Sequence, residues 1–465
     1  MKNRRHAFIL AAYVAFALAV FVARPAETSG PLARDFEAYW SAGAAFNGHA
    51  DPYAAAIWNY ERSVPGVDAQ REGVLPFVGP PATLLLWSIL ARAPYGSSAP
   101  WWLLLLCCAL GGLLFACLRG TRVHLTIGNG LATVALAISF GPITSDLALG
   151  QFALVAAFGA CLLVAARRTV PAAIGGILTF AQPNIVPALI SQISRKRALV
   201  AVAIAIAVTY LLGVLAAGWN WAGNYAAILP AHTAAERFSA IQITPLAVAY
   251  GFGASRSLAL CIAIVVAVAA VFFAIRVAKH TADPFARFAA FAALTPFVSS
   301  FWHEHDLVMA FPAALWCALR VTPAKRAVAA IATLLVAIDW LGLAQRPGGI
   351  LQSALLATAA WCAFTALGNT APTPRGAYAT VALAAIFAAA ALLAVAHPVP
   401  VWPAAMHAIA MPPNATAAQS WATEQKATGL DRPVASWAVL RALSLAGCAL
   451  LSGVISRHST CYRMA

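Results

Sequence analysis

Residues 258–275 read Leu-Ala-Leu-Cys-Ile-Ala-Ile-Val-Val-Ala-Val-Ala-Ala-Val-Phe-Phe-Ala-Ile, with Arg256 before them and Arg276 after. No side chain in this run carries a charge or a hydroxyl. A helix on the surface of a soluble protein keeps one polar face, and here there is none. Eighteen residues at about 1.5 Å each reach about 27 Å, close to the thickness of bilayer hydrocarbon. Working outward from this segment, apolar runs of similar kind lie near 7–23, 99–118, 124–141, 151–166, 198–217, 257–276, 285–301, 306–320, 327–344, 350–367, 377–396 and 435–455. The whole composition agrees: 62% of the 465 residues are hydrophobic and 10% charged, against about 45–50% and about 25% in soluble domains. So little charge does not cover a water-soluble body of this size. The expected fold is all-α, a single integral membrane unit over 1–465. It has about 12 transmembrane helices, re-entrant segments, and interfacial helices in its outer loops.

Thirty Lys and Arg stand against 15 Asp and Glu, a net charge of +15. The basic residues fall in short clusters between apolar runs, which is the pattern of cytoplasmic loops and not of a nucleic-acid-binding face. No nucleic-acid partner is expected; membrane lipids are. Eight of the nine cysteines lie in apolar segments and none pairs in a polar loop, so no disulfide framework is expected.

The start, Met1-Lys-Asn-Arg-Arg-His6 followed by about 17 apolar residues, reads as a signal anchor with a cytoplasmic N-terminus. Two apolar stretches do not read as simple spans. Segment 172–193 has Arg167-Arg168 on one side and Arg195-Lys196-Arg197 on the other, with Gln182-Pro183 and Pro187 in its middle. Proline breaks helices, so it is expected to dip into the membrane and return. Segment 77–93 carries Pro80-Pro81 and ends at Pro94; it is expected to be re-entrant or interfacial. With those choices 19 basic residues fall inside and 11 outside, while 13 of the 15 acids fall outside. That asymmetry implies a multi-pass protein of the inner (plasma) membrane with both termini cytoplasmic.

Three long loops then lie outside: 24–76, about 218–256 and about 397–434. The first holds seven acids and seven aromatic residues, among them Asp35, Glu37 and Tyr39, a mixture suited to short interfacial helices. Asp35 is singled out because a carboxylate beside aromatics at the membrane edge can be tuned into a general base; an N-cap aspartate is the structural alternative. The second polar patch is Phe301-Trp-His-Glu-His-Asp306. Ionisable groups near a bilayer are costly and usually face a functional cavity. The patch suits contacts to phosphate or sugar through His303 and His305, beside Trp302; a metal site and a polar turn are the other readings. Gln151 opens a helix, Gln182 marks the break in 172–193, and both join the map on the same side as Asp35. No nucleotide-binding motif and no nucleophile elbow occurs.

Several segments in order resemble a known family: Asp35-Phe-x-x-Tyr-Trp, Asp51-Pro-Tyr, Pro76-Phe-Val-Gly-Pro-Pro81, Gly150-Gln151, Ala181-Gln-Pro, then Pro296 with Trp302, His305 and Pro312. Over roughly 30–312 the chain resembles glycosyltransferase family 87, polytopic GT-C enzymes that include polyprenyl-phosphate-mannose-dependent mannosyltransferases; 313–465 resembles it only in being helical. The resemblance implies an inverting hexosyltransferase, with mannose foremost. Its donor would be a polyprenyl-phosphate sugar, its acceptor a lipid or glycan, and its site extracytoplasmic. It implies Asp35 as general base and His305 as the second catalytic residue, with Glu37, Tyr39, Gln151, Gln182, Trp302 and His303 around the substrate. No metal and no cofactor is expected. The chain departs from the family in carrying Gln182-Pro183 where Lys-Pro is usual, and Trp302 three residues before the histidine instead of two. A lipid-linked sugar transporter or flippase without chemistry is the alternative.

Overall fold

The computed structural model describes residues 30–123, 126–368, 374–406 and 415–461. The expected first helix, 7–23, lies outside them. The described residues are about three-quarters helical, with one isolated bridge between Ala54 and Thr416 and no strand. Six helices are long and apolar enough to cross a membrane: Tyr95–Thr121, Lys196–Ala217, Arg256–His280, Ile350–Leu367, Ala377–Ala396 and Ala435–Arg457. The chain is an all-α multi-pass membrane protein. The segment that opens the sequence reading lies in Arg256–His280, where Val265 and Phe272 are about two-thirds exposed. Such a surface is stable only against lipid.

Several apolar runs are interrupted. The run 124–141 divides into Ile127–Ile138 and Gly141–Leu149, bent by 65°, because Pro142 removes a donor and Gly141 packs against the backbone of Ala337 and Asp339. The run 285–301 stops being α-helical at Leu294, where Thr295-Pro296 tightens it into a 3₁₀ turn. The run 306–320 opens as a 3₁₀ segment, His305–Ala310, and becomes α-helical at Phe311–Arg320. The run 327–344 divides at Asp339, whose carboxylate accepts from the Gly342 N–H at 2.7 Å. Irregular backbone of this kind is tolerated at membrane depth only inside protein or beside a wet cavity.

Segment 172–193 forms a helix, Thr169–Phe180, and then a 3₁₀ segment, Pro183–Gln192. Its first half packs on Ala153–Ala165 through glycines: a Cβ on Gly159 would sit 2.6 Å from the Gly175 carbonyl, so small residues set the approach of the two backbones. In segment 77–93 only Pro81–Leu90 is helical, about 15 Å of rise, half a bilayer.

The three long loops pack on one another. Arg71 donates to the Ala404 carbonyl at 3.1 Å, the Val74 N–H donates to Glu424 at 2.8 Å, the Ser239 hydroxyl donates to Gln425 at 2.5 Å, and the Tyr53 and Tyr225 rings lie 6.2 Å apart. They contain helices of their own: Phe36–Asn47, Trp221–Glu236 and Ala417–Thr428.

Candidate active site

Asp35 stands at the N-terminus of the Phe36–Asn47 helix without capping it. Its backbone N–H donates to the Leu149 carbonyl at 2.8 Å, and its Oδ2 accepts from Gln151 Nε2 at 2.5 Å. The two strips of chain meet across Gly150. That residue has φ +74, and a Cβ there would lie 2.6 Å from Ala33 Cβ, so both conformation and space demand glycine. The Gly150 carbonyl is held by the Trp102 indole at 2.7 Å. Phe36 and Phe152 each stack on Trp102, with ring centroids 5.8 and 5.9 Å away. This aromatic stack carries Asp35 and Gln151 on one rigid support.

Gln151 is held at its other end too. Its Oε1 accepts from the Tyr39 hydroxyl at 2.6 Å. The Asp35 carboxylate can only accept, so the amide nitrogen faces it and Oε1 is left for the phenol. Tyr39 is itself stacked on Trp87 at 4.7 Å. Burial raises the Asp35 pKa; the bond from Gln151 and the positive potential of His303 and Arg34 offset part of the rise, and Glu236 adds to it. The carboxyl is held above the ordinary aspartate range, toward values useful to a base.

The Phe301–Asp306 strip folds so that its polar groups point to different neighbours. Asp306, fully buried, accepts from the His303 N–H at 2.9 Å and from Gln182 Nε2 at 3.3 Å. The rings of His303 and His305 stack, with centroids 5.2 Å apart and planes at 12°. His303 Nε2 lies 3.1 Å from Glu236 Oε1 and 3.0 Å from Gln242 Nε2. Burial alone would lower the His303 pKa; Glu236, Asp306 and Asp35 outweigh it and hold the imidazole above its ordinary value. Trp302 is buried, its backbone N–H donating to Gln242 Oε1 at 2.7 Å and its carbonyl accepting from Ile243 at 2.6 Å.

Of the residues named from sequence, Asp35, Tyr39 and Gln151 form one hydrogen-bonded chain, while Gln182, His303 and His305 gather around Asp306 or one another. Asp35 and His303 are close enough for each to move the other's titration. Glu37 sits elsewhere. It is fully buried, with Arg34 Nε 3.6 Å from its carboxylate, and Arg34 also pairs with Glu72. The Gln182 amide is engaged by Asp306.

Three residues of this neighbourhood escape sequence reasoning. Glu236 is the only acid between Asp146 and Asp283, and Gln242 is an uncharged loop residue. Arg441, 2% exposed, donates to the carbonyls of Ser239, Gln242 and Trp437 at 3.0–3.2 Å. It pins the loop that presents Gln242. Arg441 is the only charged residue in the apolar run 435–455, and an isolated charge in a span was the available signal. Among the described residues, no three of His, Cys, Asp and Glu converge in a way that could hold a metal ion.

No curated protein sequence and no solved structure matches the chain. The family model of glycosyltransferase family 87 matches residues 77–300, a stretch that holds Gly150, Gln151, Gln182, Glu236 and Gln242 and stops just short of the histidine strip. The match supports membership of glycosyltransferase family 87 and, with the membrane-length helices, a membrane glycosyltransferase.

Proposed function

We propose that this protein transfers a hexose, mannose foremost, from a polyprenyl-phosphate sugar to a lipid or glycan acceptor at the extracytoplasmic face, with inversion at the anomeric carbon. The observation that carries the reading is Asp35. It is a carboxylate held by Gln151 at 2.5 Å, half-buried, and within electrostatic reach of His303. Asp35 takes the proton of the acceptor hydroxyl as that oxygen attacks the anomeric carbon. The bond from that carbon to the phosphate oxygen breaks, and its electron pair leaves on the polyprenyl phosphate. His303 offers positive charge, and the neutral His305 ring stacked on it an N–H group, where negative charge grows. A lipid-linked donor reaches such a cleft through the bilayer, and its leaving phosphate finds the imidazoles where the family more often places a lysine near residue 182. The packing of the three long loops on one another supports placing them, and the cleft beside them, on one side of the membrane.

The test is membranes carrying wild type or Asp35→Asn, given radiolabelled polyprenyl-phosphate mannose and a lipid extract. A new labelled glycolipid from wild type alone is the expected result. Equal labelling by both proteins would remove Asp35 from its role.

A further inference from the structure

Two partners compete for one atom of His303. Gln242 spends its Oε1 on the Trp302 N–H at 2.7 Å, which leaves its NH₂ facing His303 Nε2 at 3.0 Å. An amide NH₂ is a donor and requires a lone pair on Nε2. Glu236 Oε1 stands 3.1 Å from the same nitrogen, and a carboxylate requires a hydrogen there. A bare Nε2 satisfies Gln242, and a protonated Nε2 satisfies Glu236. Nδ1 keeps its hydrogen in both cases, because a neutral imidazole without hydrogen on Nε2 carries it on Nδ1 and an imidazolium carries both.

We propose that Glu236 and Gln242 are positioning residues that act through His303. Together they make Nε2 a two-state proton site, exchanging a neutral imidazole held by the amide for an imidazolium held by the carboxylate, opposite Asp35. The other groups near the ring are Asp306, whose carboxylate accepts from the His303 backbone N–H, Asp35, within electrostatic reach, and the stacked His305 ring. The Glu236 helix and the 239–242 loop are fixed from outside: the Ser239 hydroxyl donates to Gln425 at 2.5 Å, and Arg441 holds two carbonyls of the loop. The role in catalysis rests on the transferase reading. With Nε2 protonated, the imidazolium faces the departing phosphate and keeps its proton throughout, while the acceptor's proton goes to Asp35 and then to water.

The test uses the full chain purified in detergent. Diethyl pyrocarbonate acylates a neutral imidazole nitrogen and spares an imidazolium. The rate of His303 carbethoxylation against pH, read by peptide mass spectrometry, therefore titrates this one side chain without any donor. The ring, 16% exposed, is within reach of the reagent. Glu236→Gln should lower the midpoint by about 1–3 pH units, the usual effect of removing an opposite charge at contact distance. Glu236→Asp should restore most of that shift, and Gln242→Met should raise the midpoint. An unmoved midpoint in Glu236→Gln overturns the proposal; if that variant does not accumulate, an unmoved or lowered midpoint in Gln242→Met overturns it instead. The alkaline limb of kcat/KM for transfer from polyprenyl-phosphate mannose should follow the same shifts. Shifted midpoints with no product from wild type would sink the transferase reading and leave the proton site standing. Product from wild type with an unmoved midpoint would sink the proton site alone.

Discussion

On one side of the start of the Phe36–Asn47 helix, Asp35 accepts a short hydrogen bond from Gln151, which is in turn held by Tyr39. On the other side Glu37 is buried with neither oxygen in reach of a hydrogen-bond donor, and its compensation is Arg34. Around that one guanidinium lie Glu72, in direct contact, and Glu61 and Glu424 within electrostatic reach of its partners. Arg34 also stacks over the Trp402 ring at 4.9 Å. The two carboxylates are two residues apart and meet different physics. Asp35 accepts from the neutral Gln151 amide and is half-buried, as the proposed exchange of a proton with a substrate requires. Glu37 is shut away, where a charge is expensive, and it serves to join the first long loop to the third. The difference separates a place for chemistry from a place for cohesion, and substitutions on the two sides should fail in different ways.

Asp35→Asn should show the largest effect. Transfer should fall by about 10²–10⁴-fold, the usual worth of general-base assistance, while the thermal unfolding midpoint in detergent stays within a degree or two. Loss of the fold along with activity would merge the two regions and break the comparison. Arg34→Met should behave in the opposite way. Taking one partner from a buried ionic cluster costs about 3–5 kcal/mol, so the protein should melt earlier and accumulate poorly. Whatever remains folded should keep Asp35 chemistry, which specific activity per folded molecule would check. Gln151→Leu lies between them. It leaves Asp35 and the Tyr39 hydroxyl without their mutual partner, at about 1–3 kcal/mol for a buried unpaired group. Transfer should drop about 10-fold or more, with its acid limb moved to higher pH because a donor to the carboxylate has gone.

Much of this arrangement is legible in the chain, because apolar surroundings make every polar residue conspicuous. The run ending at Ile275 reads as a lipid-facing helix, and so it lies. Gln182-Pro183 marks a real break, since proline and a hydrogen-bonding side chain leave no other use for that point. Asp35 bonds Gln151, and His303 lies within electrostatic reach of it, because an unpartnered polar group in this solvent has nowhere cheaper to go. What stays hidden depends on tertiary packing. The bend between Ile138 and Gly141 lies in sequence apolar on both sides, so hydropathy runs through it. Glu236 reads as a surface acid in a long loop, and only the fold brings His303 to it, 67 positions later. Arg441 was visible as a lone charge in a span, but its partners are backbone carbonyls, which every sequence has and no pattern marks.

The smallest expected effect sharpens the comparison through pH. Burial, moderated by Arg34 and aided by Glu72 and Asp35, pushes the Glu37 pKa from about 4.5 to about 8, and burial first of all does the same for Glu424. The folded protein thus binds protons that the unfolded chain releases between those values. Stability from these groups is complete below about pH 4.5 and is lost as pH rises through about 8. Each pKa unit corresponds to about 1.4 kcal/mol, and relaxation of the cluster should trim the net to the order of 2 kcal/mol. Glu37→Gln keeps the shape and removes the titration. Its unfolding midpoint should match wild type near pH 5, exceed it by a few degrees near pH 8.5, and vary less with pH between them. Asp35→Asn, tested in parallel, should flatten the stability profile less, since its carboxyl has Gln151, His303 and Arg34 to ease the charge. If Glu37→Gln instead melted earlier than wild type at both pH values, Glu37 would be a needed anion for Arg34, and the cohesive region would be held by charge pairing and not by protonated, buried acids.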